Sequence, residues 1–211
     1  MLSSFIDIIL HVDYYLDTIV STYPNLSYLI LFFIIFIETG IVVMPFLPGD
    51  SLLFVAGALA SLGSMNVFAL FGLLLLASVI GDAVNYQIGK YVGPRVFTSK
   101  KFWLLNHNHL LKAQAFYEKY GKKTIVLARF VPIIRTFAPF VAGIGKMRYR
   151  DFAFYNIFGA FLWCFIFIFG GFFFGNIPLV KENFSTFILL IIIISVLPII
   201  IGIIKSIINK K

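Results

Sequence analysis

The first 89 residues contain no lysine and no arginine; all seventeen basic residues follow from Lys90 onward. Acids are scarcer, nine in 211 residues, and charged residues of both signs make up only 12% of the chain. A soluble domain of this length needs far more polar surface. A net charge of +8 in a chain that is 61% hydrophobic is therefore not read as a nucleic-acid footprint, and no nucleic-acid partner is expected. One cysteine, Cys164, lies inside an apolar run. A single thiol excludes an internal disulfide and is a poor nucleophile in lipid. Of three histidines, His107 and His109 stand at i and i+2 and do not face each other on a helix. No metal and no cofactor are expected.

What remains is apolar, and an all-α integral membrane protein is the class that accommodates it. At about 20 residues per span, the chain has room for roughly five or six membrane segments in one bundle. The opening residues MLSSFIDIILHVDYYLDTIV carry three aspartates and no basic cluster, so they are not expected to be a signal peptide. Over 1–22 they predict an amphipathic helix on the membrane surface, with Phe5, Ile8, Ile9 and Val12 on one side. A plain leader into the first span is the alternative.

Farther along, 66–89 and 152–175 read as full spans, and 184–204 as another. Residues 94–123 are polar and basic, interrupted by Phe102, Trp103, Leu104 and Leu105, as an interfacial amphipathic segment requires. Two apolar stretches are broken. Residues 28–62 contain Pro45, Pro48 and Gly49, and 124–145 contain Pro132, Pro139 and Gly143. The second has basic flanks on both sides. Basic loops stay cytoplasmic, so this stretch must enter and leave by one face, as a re-entrant hairpin would. The first has no basic flank and predicts a hairpin from the opposite face. FVAG closes both, at 54–57 and 140–143. Opposed hairpins sharing a sequence predict an inverted repeat, as in many secondary transporters with midplane binding sites.

The broken stretches also hold the intramembrane charges: Glu38 and Asp50 in the first, Arg129 and Arg135 in the second. Each costs roughly 2.5–3.5 kcal/mol at a bilayer centre on insertion scales. Hairpins meeting tip to tip would set acids against arginines around a wet cavity. The guanidinium fork suits a phosphate, and the two acids suit proton uptake and release. Asp82, with Asn85 and Tyr86, either supports this site, pairs with an arginine or clamps two helices. Gly81, Gly89 and Gly93 are expected to let helices approach closely.

The runs ETGIVVMPFLPGDSLLFVAG, GDAVNYQIGKYVG and ARFVPIIRTFAPFVAGIGKMRYRDFAFYNIFGAFLW together resemble the DedA family, also called the SNARE-associated or VTT domain family. The resemblance covers about residues 28–175; Asp50 stands where many members have glutamate. It implies a multi-pass protein of the bacterial cytoplasmic membrane with two facing re-entrant hairpins. It also implies a role in returning undecaprenyl phosphate across that membrane, and links to proton-motive force, pH homeostasis and drug resistance; eukaryotic relatives scramble phospholipids. The family's acidic pair falls on Glu38 and Asp50 and its arginine pair on Arg129 and Arg135. The expected function is thus a lipid-phosphate translocase coupled to protons, not an enzyme, whose partners are undecaprenyl phosphate and membrane lipids. Assembly into a homo-oligomer is compatible with it. An ion-coupled carrier of small solutes or drugs, and a phospholipid scramblase, are the alternatives. A lipid phosphatase would need a histidine nucleophile, and the three histidines lie outside the hairpins. A lipid-organising scaffold would keep working without the four charges.

Overall fold

In a computed structural model the residues described are 22–41, 49–96 and 107–182, with positions 186, 187 and 190. The surface helix expected over 1–22 and the span over 184–204 fall almost entirely outside them, as do Pro45, Pro48 and Phe102–Leu105. The described residues are helical, with no strand among them. In chain order the helices are α1 (Pro24–Gly40), α2 (Gly49–Ser61), α3 (Val67–Val96), α4 (His107–Tyr120), α5 (Thr124–Ala128), α6 (Pro132–Ile144), α7 (Tyr149–Cys164), α8 (Gly170–Gly175) and α9 (Pro178–Glu182). A 3₁₀ turn, Gly121–Lys123, leads into α5, and a π-helical stretch, Phe165–Phe169, joins α7 to α8.

Among the described residues, Val67–Tyr91 and Tyr149–Gly175 are long and apolar enough to cross a membrane. Their exposed surfaces carry Leu76, Ile80, Val84 and Ile88 on one, and Phe154, Ile157, Phe158, Phe161 and Phe165 on the other. Apolar side chains at this density have no use in water. Helices α2 and α6, at 13 residues each, span about 20 Å at 1.5 Å per residue and fall short of a ~30 Å hydrocarbon core.

The chain divides into two compact units. Of the described residues, the first holds 22–29, 49–71 and those from 166 onward; the second holds 30–41, 72–96 and 107–165. In the first, α8 lies along α2, with Phe54 against Phe174 and Val55, Ala58, Leu59 and Val180 forming a small core. In the second, α6 packs on α4, and α5 on both α6 and α7. Tyr86, Ile125, Ala142, Met147 and Phe152 form its core. The break expected in 124–145 falls at Arg129–Val131, where turn hydrogen bonds close α5 and Pro132 opens α6. Proline suits that position because its missing N–H has no helical acceptor there. Pro139 behaves differently from expectation: it sits inside α6, which continues through it. It removes one helical hydrogen bond, the one that Arg135's carbonyl would accept.

Each FVAG stretch crosses a longer helix in the same way. In the first unit a Cβ on Gly57 would strike the carbonyl of Ile168, and a Cβ on Gly171 the carbonyl of Phe54. In the second, a Cβ on Gly143 would strike the carbonyl of Tyr86, and one on Gly89 the carbonyl of Phe140. In both units each glycine stands three residues after the residue whose carbonyl the opposing glycine meets, which brings two antiparallel backbones together as small residues do between membrane helices. Gly143→Ala is therefore expected to force α6 from α3 and to destabilise the protein by about 1–3 kcal/mol. Gly72→Ala, where a Cβ meets nothing within 4 Å, serves as its control and should be neutral or mildly stabilising. Melting of the two variants in detergent reads the difference directly.

Candidate functional site

Four charged side chains are buried among the described residues of the second unit: Glu38 (1% exposed), Asp82 (3%), Arg129 (2%) and Arg135 (6%). They come from four places in the chain. Glu38 ends α1, Asp82 lies in α3, Arg129 follows α5 at the break, and Arg135 stands one turn into α6. Arg135 Nη2 donates to Glu38 Oε1. Arg129 Nη2 donates to Asp82 Oδ2 at 2.5 Å and to Asn156 Oδ1 at 2.6 Å. The formal charges of the four groups cancel.

Neutral polar groups fix this arrangement. The Asn85 amide donates to the carbonyls of Thr39 (3.0 Å) and Thr136 (2.8 Å). Those residues follow Glu38 and Arg135 directly, so one side chain of α3 sets the height of both members of that pair. Asn156 donates to the carbonyl of Val79 (3.0 Å) while accepting from Arg129, which ties α7 to α3. Space for the Arg129 side chain comes from Gly159, where a Cβ would lie 3.1 Å from Arg129 Cδ. Gly40 and Gly81 let α1 meet α3: a Cβ on Gly81 would strike Thr39 Oγ1.

Trp163, fully buried, lies beside both arginines. The Arg135 guanidinium is 4.9 Å from its ring centroid and that of Arg129 5.8 Å. A π face below two cations stabilises them where water is scarce. Several polar atoms here make no hydrogen bond among the described residues: Arg129 Nε and Nη1, Asn85 Oδ1 and Thr136 Oγ1. Buried donors of that kind are costly unless something fills them. Arg129 thus keeps three N–H groups, one on Nε and two on Nη1, without an acceptor among the described residues.

The expected residues distribute as follows. Glu38, Arg129 and Arg135 are brought together, and Asp82 is the acid paired with Arg129. Asp50 belongs to the first unit, in the opening turn of α2, beside the buried Gly49. Tyr86 does not reach the charges. Its hydroxyl donates to the Met147 carbonyl and its ring stacks on Phe152, 4.4 Å between centroids, within the unit's core. Gly143 serves the α6–α3 crossing, and Pro132 opens the helix bearing Arg135. Thr39, Thr136, Asn156, Gly159 and Trp163 were not singled out from sequence. Asn156, Gly159 and Trp163 share one face of α7, at i, i+3 and i+7, and an asparagine inside an apolar span was the available signal. Among the described residues no cluster of histidine, cysteine or carboxylates could hold a metal.

Against known proteins, residues 47–173 match the VTT domain. Over 208 residues the chain is 54% identical to Protein DedA of Escherichia coli strain K12, covering 98% of this chain and 94% of that one. It is 41% identical over 167 residues to the uncharacterized membrane protein Rv0364 of Mycobacterium tuberculosis, covering 78% and 73%. With the inner membrane protein YghB of Escherichia coli strain K12 the identity is 30% over 192 residues, covering 89% and 87%. No solved structure matches the chain.

Proposed function

The chain belongs to the DedA family of VTT-domain membrane proteins, and from that premise we propose that it carries a lipid phosphate, undecaprenyl phosphate foremost, across the bacterial cytoplasmic membrane. The observation that carries this reading is the pair of buried guanidiniums over the Trp163 ring, one with N–H groups left over. A planar fork of donors in a dry setting is chemistry suited to phosphate. It is poorly suited to stability alone, since buried ion pairs rarely outperform apolar packing.

Charge bookkeeping supplies the coupling. Two arginines and two acids balance, so a phosphate entering among them adds uncompensated negative charge. A proton on Glu38 would restore the balance and at the same stroke release Arg135 to grip the phosphate. Protonation and anion binding then favour each other through one shared arginine. Asp50, in the first unit, is the second acid in this proposal and would take up and release protons there. The protein would be a multi-pass carrier and not an enzyme. Its two broken stretches would be re-entrant hairpins of an inverted repeat, a reading supported by the recurrence of the FVAG crossing in each unit.

Cells lacking the protein and its paralogues should display less undecaprenyl phosphate on the outer leaflet. An externally added antibiotic that binds this lipid reports the level. Normal display in such cells would sink the lipid-carrier reading, and restored drug or solute flux without it would favour a small-molecule carrier.

A further inference from the structure

A second basic feature lies apart from the buried pairs. Tyr86, Lys90, Tyr91, Ile144, Lys146, Met147 and Arg148 line a groove of about 400 Å³ in the second unit. Three cations face it and no carboxylate lines it. Lys90, Lys146 and Arg148 are all exposed. The neighbouring acid, Asp151, already accepts from Lys122 Nζ at 2.7 Å and Arg148 Nε at 3.3 Å.

The backbone at Lys146 is unusual. Met147 N–H bonds back to the carbonyl of Ala142, and Lys146 N–H to that of Gly143. This is the double bond of a Schellman motif closing α6, whose left-handed residue is most often glycine. Here it is Lys146, with φ of 51°. A lysine in that conformation bears a steric cost that glycine would avoid, and Gly145, next door, is not the residue that adopts it. The sequence keeps an ammonium where the backbone would prefer none.

The groove's depth is also fixed. One candidate span ends at Tyr91, and the other begins at Tyr149. Lys90 and Tyr91 close the first; Lys146 to Arg148 immediately precede the second. Tyrosine and lysine at span ends mark the headgroup layer. We propose that Lys90, Lys146 and Arg148 form a binding site for the phosphate of an anionic lipid headgroup at the membrane surface, separate from the buried arginines. The site stands whether or not the protein moves lipid.

The test uses the purified full-length protein in neutral detergent, with native mass spectrometry reading bound lipid. Phosphatidic acid is the probe, phosphatidylcholine the neutral comparison and inorganic phosphate the competitor. Wild type should retain phosphatidic acid over phosphatidylcholine. The double variant Lys90→Gln, Lys146→Gly should lose that preference roughly thirtyfold, the scale expected for two basic side chains beside an anionic headgroup. Its melting temperature should hold or rise, because glycine relieves the left-handed turn. A double variant that binds phosphatidic acid like wild type would overturn the proposal, since all binding would then belong to the buried arginines. Complete displacement by an equal concentration of inorganic phosphate would overturn the lipid assignment in favour of a free-phosphate site.

Discussion

Arg129→Ala is expected to leave little folded protein. The substitution strands Asp82, which is 3% exposed, without its guanidinium partner at 2.5 Å. Breaking a buried pair from one side costs about 3–5 kcal/mol, a large share of the 5–15 kcal/mol by which domains are typically stable. It also opens a void beside Gly159 and removes the donor to Asn156. Arg129→Met with Asp82→Leu removes both charges and fills the space with apolar atoms. That double variant should recover most of the lost stability, because replacing a whole buried pair is often neutral, yet it should carry no lipid phosphate. Melting in detergent measures the first effect, and outer-leaflet undecaprenyl phosphate the second. If Arg129→Ala melts like wild type, Asp82 is not held as a buried anion and the charge balance drawn above is wrong.

The second large effect is expected at Arg135. Lysine in its place keeps the positive charge and can still reach toward Glu38. It loses the planar fork and the broad face that lies 4.9 Å from the Trp163 centroid. A stability role needs only the charge, whereas a phosphate role needs the fork. Arg135→Lys should therefore melt within a few degrees of wild type while transport falls by roughly thirtyfold, equivalent to about 2 kcal/mol of lost transition-state contact. Trp163→Leu should act in the same direction with a smaller loss, on the scale of one cation–π contact. Equal transport by wild type and Arg135→Lys would mean that the guanidinium is structural.

These two variants also mark where the sequence could be read and where it could not. Arginine and glutamate inside apolar runs are conspicuous because lipid penalises them, so Glu38, Arg129 and Arg135 stood out from composition alone. Pro132 announced the break that turns Arg129 and Arg135 toward the interior. Which acid meets which arginine was not legible. Ion pairing depends on the rotation of α3 about its axis, and no local pattern encodes that. Trp163 was hidden for another reason: within FGAFLWCFIFIF one more ring among rings carries no contrast. Its meaning comes from the buried face it shares with Asn156 and Gly159. Pro139 misled in the opposite sense. A proline predicts a break, but the packing of α6 on α4, through Phe137, Phe140 and Val141 against Ala113, holds the helix through it. FVAG hinted at a repeat and Gly89 was expected to sit at a close helix approach, while its counterpart Gly171 became visible only as a contact.

In the proposed mechanism one arginine is shared between Glu38 and a lipid phosphate, so that a proton and the lipid enter together. Purified protein in liposomes, loaded with undecaprenyl phosphate and subjected to an imposed pH gradient, tests it most directly. Lipid movement should speed up or slow down with the direction of the gradient in wild type, and Glu38→Gln should still move lipid but ignore the gradient. No movement above protein-free liposomes, or a Glu38→Gln protein that follows the gradient as wild type does, would contradict the account.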